Sequence, residues 1–418
     1  MITLCAFANT ADDIKVIKQQ DREVIERFKS YLNINTVQPN IDYYPAVDFL
    51  KKEAKRIGLE SDVVEIVKGR PHVIIKWKGR DPSKKTVMLN SHMDVVPADP
   101  AKWNSDPFEA FWDLTNNNIY ARGSQDMKCV GMQYLEAITN LKAQNFVPER
   151  TVYVTFVPEE EVGGHGGGMN DLVKSPHFDK LNVGFGLDEG LASPDEKFEV
   201  YYGERVAMWG IIEATGAVGH GSAFIKNTAT EKINRVIQQI FNFRSSQEQE
   251  LALRPNKRTG DVVSINLTSM KAGHTKDCGE TYQMNVVPRT AQVGFDIRVT
   301  PHVPIKQVDE QVNKWASEEG VSIRWVQRSE EHHVTDLNDE HVKVFLDSLK
   351  SANVTFNTGV FPAATDARFL RAKKIPIIGF SPMNLTPVLL HDHNEYLNVD
   401  VYLRGITIYE NVIKSITK

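Results

Sequence analysis

Cysteine is nearly absent: Cys5, Cys129 and Cys278 are the only three in 418 residues. Three widely spaced thiols supply neither a disulfide framework nor a Cys-x-x-Cys zinc clip. No apolar run approaches the roughly 20 residues that cross a bilayer. The opening stretch 2–8 is apolar but short, and lacks the positive segment of a secretory leader. Charge of one sign is missing as well. With 49 basic and 54 acidic residues the net charge is −5, and no basic stripe offers a nucleic acid its footprint. There is no internal repeat and no low-complexity tract. These absences predict a reduced, soluble, cytoplasmic protein with neither nucleic acid nor membrane as partner. Three matches to the glycosylation sequon, at Asn266, Asn353 and Asn384, carry no weight because so short a pattern recurs by chance.

The length suggests roughly two to three domains, and the order of the patterns suggests how they are arranged. Residues 73–77 and 86–90 read as strands across the turn-rich Lys78-Gly79-Arg80-Asp81-Pro82. Val130, Tyr134, Leu135, Ile138 and Leu141 share one face and predict a helix over 129–141. A buried strand over 151–157 is closed by Pro158, and another short strand precedes Asp188. Strands alternating with helices predict an α/β sheet covered on both faces, with ligands outside the strand ends. The middle differs. Longer strands over 207–214, 262–268 and 291–299 flank a helix marked by Ile233, Val236, Ile237, Ile240 and Phe241, with a second helix over 307–315. Alternation returns with strands at 321–326 and 375–380 around a helix at 341–349. The expected fold is therefore a discontinuous α/β domain with a central, mostly parallel sheet, residues 1–199 and 316–418. A smaller α+β domain, residues 200–315, is inserted in it.

Groups able to hold a metal cluster at strand ends and loops. They fall in Ser91-His92-Met93-Asp94, in the 122–128 loop around Asp126, in Glu159-Glu160-Glu161, in Asp188-Glu189-Gly190 and in His391-Asp392-His393. All but the 122–128 group are expected to follow a strand directly. Two imidazoles with three carboxylates suit a borderline cation such as zinc, and one carboxylate beyond a single tetrahedral set points to two ions. Asp94 stands two residues after His92, where its carboxylate could hold the ring N–H that a metal-bound imidazole must satisfy. Asp126 just before a helix reads equally as an N-cap. Three consecutive glutamates before Gly163-Gly164 are ordinarily a solvated face. At the end of an apolar strand they repel unless a cation sits among them or one holds a proton, which fits a metal ligand beside a general base. Spacing leaves open which glutamate does which, and which of His391 and His393 binds.

The chain resembles the zinc aminoacylases, N-acyl-L-amino-acid amidohydrolases within the larger group of two-zinc exopeptidases and deacylases. The resemblance runs through Ser91-His92-Met93-Asp94-Val95-Val96-Pro97, residues 103–108, 121–128 and 157–164, and Gly219-His220-Gly221-Ser222. It continues in Asn285-Val286-Val287-Pro288, Pro362-Ala363-Ala364-Thr365-Asp366 and residues 379–395. Gly379-Phe380-Ser381-Pro382-Met383-Asn384 with residues 387–391 is similar to aminoacylases rather than to the wider group. The resemblance implies that His92 and Glu189 hold one zinc, Glu161 and His391 the other, and Asp126 both. Glu160 is then the general base and Asp94 the partner of His92. It further implies that His220, otherwise an ordinary turn histidine, donates to the oxyanion in a partner subunit's site, with Asn285 near the carbonyl. Arg368, and with it Arg298, would bind the substrate carboxylate, which a planar guanidinium suits. Glu159 stands where the family often has Asp, and no consequence is expected of it.

So read, the inserted domain is a lid and the surface of a homodimer. The reaction is hydrolysis of N-acyl (N-acetyl) L-amino acids to a carboxylate and a free amino acid, with two Zn2+ per subunit. Two other readings share the same residues: a metallo-dipeptidase or other amino-acid deacylase, and a metal-binding scaffold without turnover. The aminoacylase-like segment 379–391 argues against the first. Glu160, which a purely structural site does not need, argues against the second.

Overall fold

The computed structural model describes residues 18–275 and 281–418; Cys5, Cys278 and the apolar opening 2–8 lie outside the described residues. Two compact units are present. One comprises the described part of Met1–Val200 with Thr335–Asn357 and Thr365–Lys418, the other Tyr201–Val334 with Thr358–Ala364.

In the first unit the sheet runs Glu60–Val67, Arg70–Trp77, Val152–Val157, Thr86–His92, Val183–Asp188, Ile377–Gly379. It goes on through Phe198–Glu204 and Phe356–Phe361, two strands along which the chain passes between units. Arg70–Trp77 pairs antiparallel with both its neighbours, while the pairs from Val152–Val157 to Ile377–Gly379 are parallel. Every residue of Thr86–His92 and of Val183–Asp188 is buried. Strands covered on both faces do not alternate apolar with polar residues, and Val87-Met88-Leu89 is such an apolar run. Because they run parallel, their carboxyl ends gather along one edge, and that edge receives His92, the 159–161 turn and Glu189. His391 is placed differently from expectation. It follows no strand directly, but sits in the long loop between Ile377–Gly379 and the short strand Tyr396–Asn398.

The helix Lys128–Ala143 is buried on nearly all sides, between the strand Thr86–His92 and the C-terminal helix Val399–Ile416. Gly131 permits the close approach: a Cβ there would lie 2.5 Å from Phe156 Cε1 and 2.8 Å from Ser91 Oγ.

The second unit holds a four-stranded antiparallel sheet, ordered Ser264–Ala272, Thr290–Val299, Val206–Thr215, Ser322–Gln327. Helices Ala229–Leu253 and Ile305–Glu319 pack on it through Ile233, Val236, Ile240, Val308 and Val312 against Met208, Ile212, Val293 and Phe295. The first helix begins with a capping box, Thr228 and Glu231 each bonding the other's backbone N–H. The strand Ser322–Gln327, which the sequence reading sets after the insertion, is an edge strand of this sheet. Alternation of Ile323 and Trp325 identifies a half-buried strand, but a period of two does not say which sheet it joins. Among the described residues no helix is long and apolar enough to cross a membrane.

Candidate metal centre

His92 is the last residue of its strand and is 1% exposed. Its Nδ1 lies 2.8 Å from the carbonyl oxygen of Asp94, which fixes the proton on Nδ1 and leaves Nε2 as the ligating nitrogen. The expected acceptor was the Asp94 carboxylate, but its nearer oxygen is 3.7 Å away. That carboxylate has other work. It accepts from the amides of Glu160 at 3.2 Å and Glu161 at 3.1 Å, and from Gln38 Nε2 at 2.8 Å. A two-residue turn brings the carbonyl, not the side chain, back to the ring.

Asp126 lies between two imidazoles. Its Oδ1 is 3.1 Å from His92 Nε2 and its Oδ2 3.2 Å from His391 Nε2. His391 Nε2 also lies 2.9 Å from Glu161 Oε2, and His92 Nε2 lies 3.8 Å from Glu189 Oε2. His391 thus has Glu161 beside it, His92 has Glu189 with Glu160 only slightly farther, and the two imidazoles share one aspartate. The N-cap reading of Asp126 fails, since the helix Lys128–Ala143 is capped at Met127 without a side-chain bond. Asp188, beside Glu189, turns the other way and accepts from Asn90 Nδ2 at 3.0 Å. Glu160 Oε2 stands 4.0 Å from His92 Nε2. Among the described residues two triads have donor atoms that all lie within 4.8 Å of one another: His92, Glu160, Glu189 and His92, Asp126, Glu161.

So many carboxylates in a dry place shift one another strongly. Burial, then the neighbouring Glu189, drives Glu160 well above its usual range; burial with Asp126 does the same to Glu189 and takes Glu161 up to about 7. Burial opposes the ionised form of Asp126, yet hydrogen bonds from His391 and His92 hold its carboxyl far below the ordinary value. Bonds to Asp126 and Glu161 raise His391 to about 10. Glu161 Oε1 is buried without a hydrogen-bond partner. An orphaned buried carboxylate oxygen among mutually repelling acids is what a cation relieves, and the N/O donor set suits zinc. The residues fit a metal.

The loop carrying Asp126 is held from far along the chain. Glu395, fully buried, accepts from Arg122 Nη1 at 2.8 Å and from the amides of Gly123, Gln125 and Asp126 at 3.2, 2.6 and 3.3 Å. The sequence gives no sign of this role for Glu395, because a lone glutamate in a polar loop has no local signal of burial. Lys128 is likewise buried. It donates to the carbonyls of Tyr31 and Ile34 at 3.2 and 2.7 Å, and burial lowers its pKa to about 7. Glu159 is also in use, held by Tyr43 and Arg70.

The remaining predicted residues are not in this cluster. Arg368, on the short helix Ala367–Ala372, donates to the carbonyls of Thr365 at 2.6 Å and Gly163 at 2.7 Å, and so borders the 159–164 turn. His220, Asn285 and Arg298 belong to the second unit. His220 and Asn285 are exposed neighbours on a two-stranded ribbon, Gly219–His220 against Val286–Val287. The Ser222 amide donates to His220 Nδ1 at 3.2 Å, so in the neutral ring Nε2 carries the proton and is a free donor. Arg298 forks onto Asp296 at 2.9 and 3.0 Å.

A parallel-sheet edge bearing His, Asp and Glu around a shared carboxylate defines a metal-dependent hydrolase centre. The chain belongs to peptidase family M20/M25/M40, whose sequence model matches residues 88–415. Within that family it is similar to Aminoacylase-1 of Mus musculus, 44% identical over 402 residues covering 95% of this chain and 96% of that one. Aminoacylase-1 of Dictyostelium discoideum is 43% identical over 402 residues, 95% of this chain and 98% of that one. Among solved structures, an M20 family metallo-carboxypeptidase from Sulfolobus solfataricus superposes with a TM-score of 0.72 at 19% identity, covering 94% of this chain and 99% of that one.

Proposed function

We propose that the chain is an aminoacylase: it hydrolyses N-acyl L-amino acids, N-acetyl ones among them, to a carboxylate and a free L-amino acid, with two Zn2+ per subunit. The observation that carries this reading is Asp126, whose two oxygens face two imidazoles, His391 beside Glu161 and His92 beside Glu189 and Glu160. His92, Asp126 and Glu189 would hold one ion, and Asp126, Glu161 and His391 the other. When bound, the zinc supplies Lewis-acid polarisation of the amide carbonyl and makes water more acidic.

Glu160 takes the proton of the attacking water and passes it to the leaving amine; a carboxyl raised by burial suits both steps. Asp94 fixes the Glu160 and Glu161 amides, and its carbonyl fixes the His92 ring. The substrate carboxylate is assigned to Arg368 and, second, to Arg298, whose Asp296 partner would have to release it. His220 of the partner subunit, with the free donor at Nε2, is assigned to the oxyanion, and Asn285 beside it to the carbonyl. Exposed apolar side chains on the second unit, including Phe224, Met270 and Met284, support a homodimer formed through that unit.

The test is metal content measured together with hydrolysis of N-acetyl-L-methionine and of an unblocked dipeptide, before and after chelation. About two zincs per chain and chelator-sensitive release of acetate are expected. Cleavage of the dipeptide alone would replace this reading with a peptidase, and metal without turnover would reduce it to a binding protein.

A further inference from the structure

Glu159 precedes the two glutamates to which the reaction is assigned, and its backbone is unusual. At φ 66° and ψ 18° it occupies the left-handed region, uncommon for a residue with a side chain. Three contacts keep it there. The Tyr43 hydroxyl donates to Glu159 Oε1 at 2.9 Å and accepts from the Glu159 amide at 3.1 Å, so one hydroxyl ties the side chain to its own backbone. Arg70 Nε reaches the same Oε1 at 2.7 Å, and its guanidinium lies 5.8 Å from the Tyr43 ring centre. Tyr43 is fully buried and Glu159 is 7% exposed, so this is not a solvated surface charge.

The rest of the turn is pinned in series. The Glu160 and Glu161 amides sit on the Asp94 carboxylate, the Gly163 amide on the Glu160 carbonyl at 2.8 Å, and the Gly164 amide on the Glu159 carbonyl at 2.7 Å. The first residue is therefore the point from which Glu160 and Glu161 are aimed. We propose that Glu159 is a positioning residue for the reaction. Its contacts with Arg70 and Tyr43 set the direction in which the following turn presents Glu160 and Glu161. An aspartate, one methylene shorter, would have to shift the backbone to keep both partners, so, against the expectation that the change from the family's aspartate is without consequence, the proposal gives the length of this glutamate a role in this chain. The inference rests on the reading of Glu160 as the base and adds a residue to it.

The test compares Glu159→Asp, Glu159→Gln and Tyr43→Phe with the unaltered enzyme, all metal-loaded. The readouts are kcat and KM on N-acetyl-L-methionine, thermal midpoint, metal content, and hydrogen exchange of the 160–164 amides. For Glu159→Asp we expect kcat to fall about ten- to a hundredfold, as a misplacement of roughly 1 Å produces. KM, midpoint and metal content should stay near the original values, while exchange at 160–164 quickens. Glu159→Gln, which keeps length and the Tyr43 bond, should lie between the two. Unchanged exchange with kcat within about twofold of the original would overturn the proposal, and so would losses that only track midpoint or metal content. If Glu159→Asp does not fold, Tyr43→Phe, which deletes a single hydroxyl, decides by the same readouts. If the unaltered protein hydrolyses no N-acyl amino acid, the proposed function fails by itself; exchange at 160–164 then still upholds or overturns the clamp.

Discussion

Asp94 serves the centre with two different groups, its carbonyl on His92 and its carboxylate across the Glu160 and Glu161 amides. The residue itself was legible in the sequence because a His-x-Asp pair after a strand is a known metal pattern; which of its atoms would act was not, since that depends on a backbone turn. Glu160 is the sharper case. Changing Glu160 to Gln should leave metal content intact and cut turnover by about 10²- to 10⁴-fold; near-normal turnover would refute its assignment as base. A second residue is testable by pH. His72 is fully buried, its Nε2 lies 2.8 Å from the Gly167 carbonyl, its Nδ1 has no hydrogen-bond partner, and burial takes its pKa down to about 4. The folded value lies below the unfolded 6.5, so the stability His72 brings is complete above pH 6.5 and is lost as pH falls toward 4. Between pH 7 and 5 that loss is about 2 kcal/mol. Urea unfolding of His72→Gln should show a correspondingly smaller decline over this interval; an identical decline would exclude His72 as its source.

The strand ends and the helix Lys128–Ala143 form the next scale. The sheet was readable from strands alternating with helices, and the expectation of ligands outside the strand ends followed from that alternation. Two features of the same edge were not readable. His391 was named as a candidate, but that it reaches the edge from a loop and not from a strand end was not visible, and Glu395 is an acid held by Arg122 and by backbone amides, which every sequence has. Gly131 ties helix to strand at their closest approach. Gly131→Ala would drive a methyl into Phe156 and Ser91, beside His92, and should cost about 1–3 kcal/mol. Urea unfolding measures that cost, and zinc affinity should fall with it. An unchanged midpoint would mean that the helix can retreat without penalty.

For the molecule as a whole, a change in strand and helix pattern suggested an insertion over 200–315, and the second compact unit takes in Tyr201–Val334 with Thr358–Ala364. The far limit differs because Ser322–Gln327 looks the same whichever sheet it joins. The metal-ligand candidates all lie in the first unit, while the core built on Met208, Ile237 and Phe295 lies in the second. Chelation should therefore lower the calorimetric transition of the first unit alone, and added zinc should restore it, because a ligand stabilises only the part that binds it. Equal shifts of both transitions, or none, would contradict that division. The grip of Glu395 on the Gln125 amide spans 270 residues of chain. A ribosome extends the chain from its amino end, so the Asp126 loop lacks this anchor until the segment around Glu395 has emerged. A centre that takes His391 as a ligand would accordingly be completed late, and a product of synthesis interrupted before residue 391 would lack both that imidazole and the Glu395 anchor.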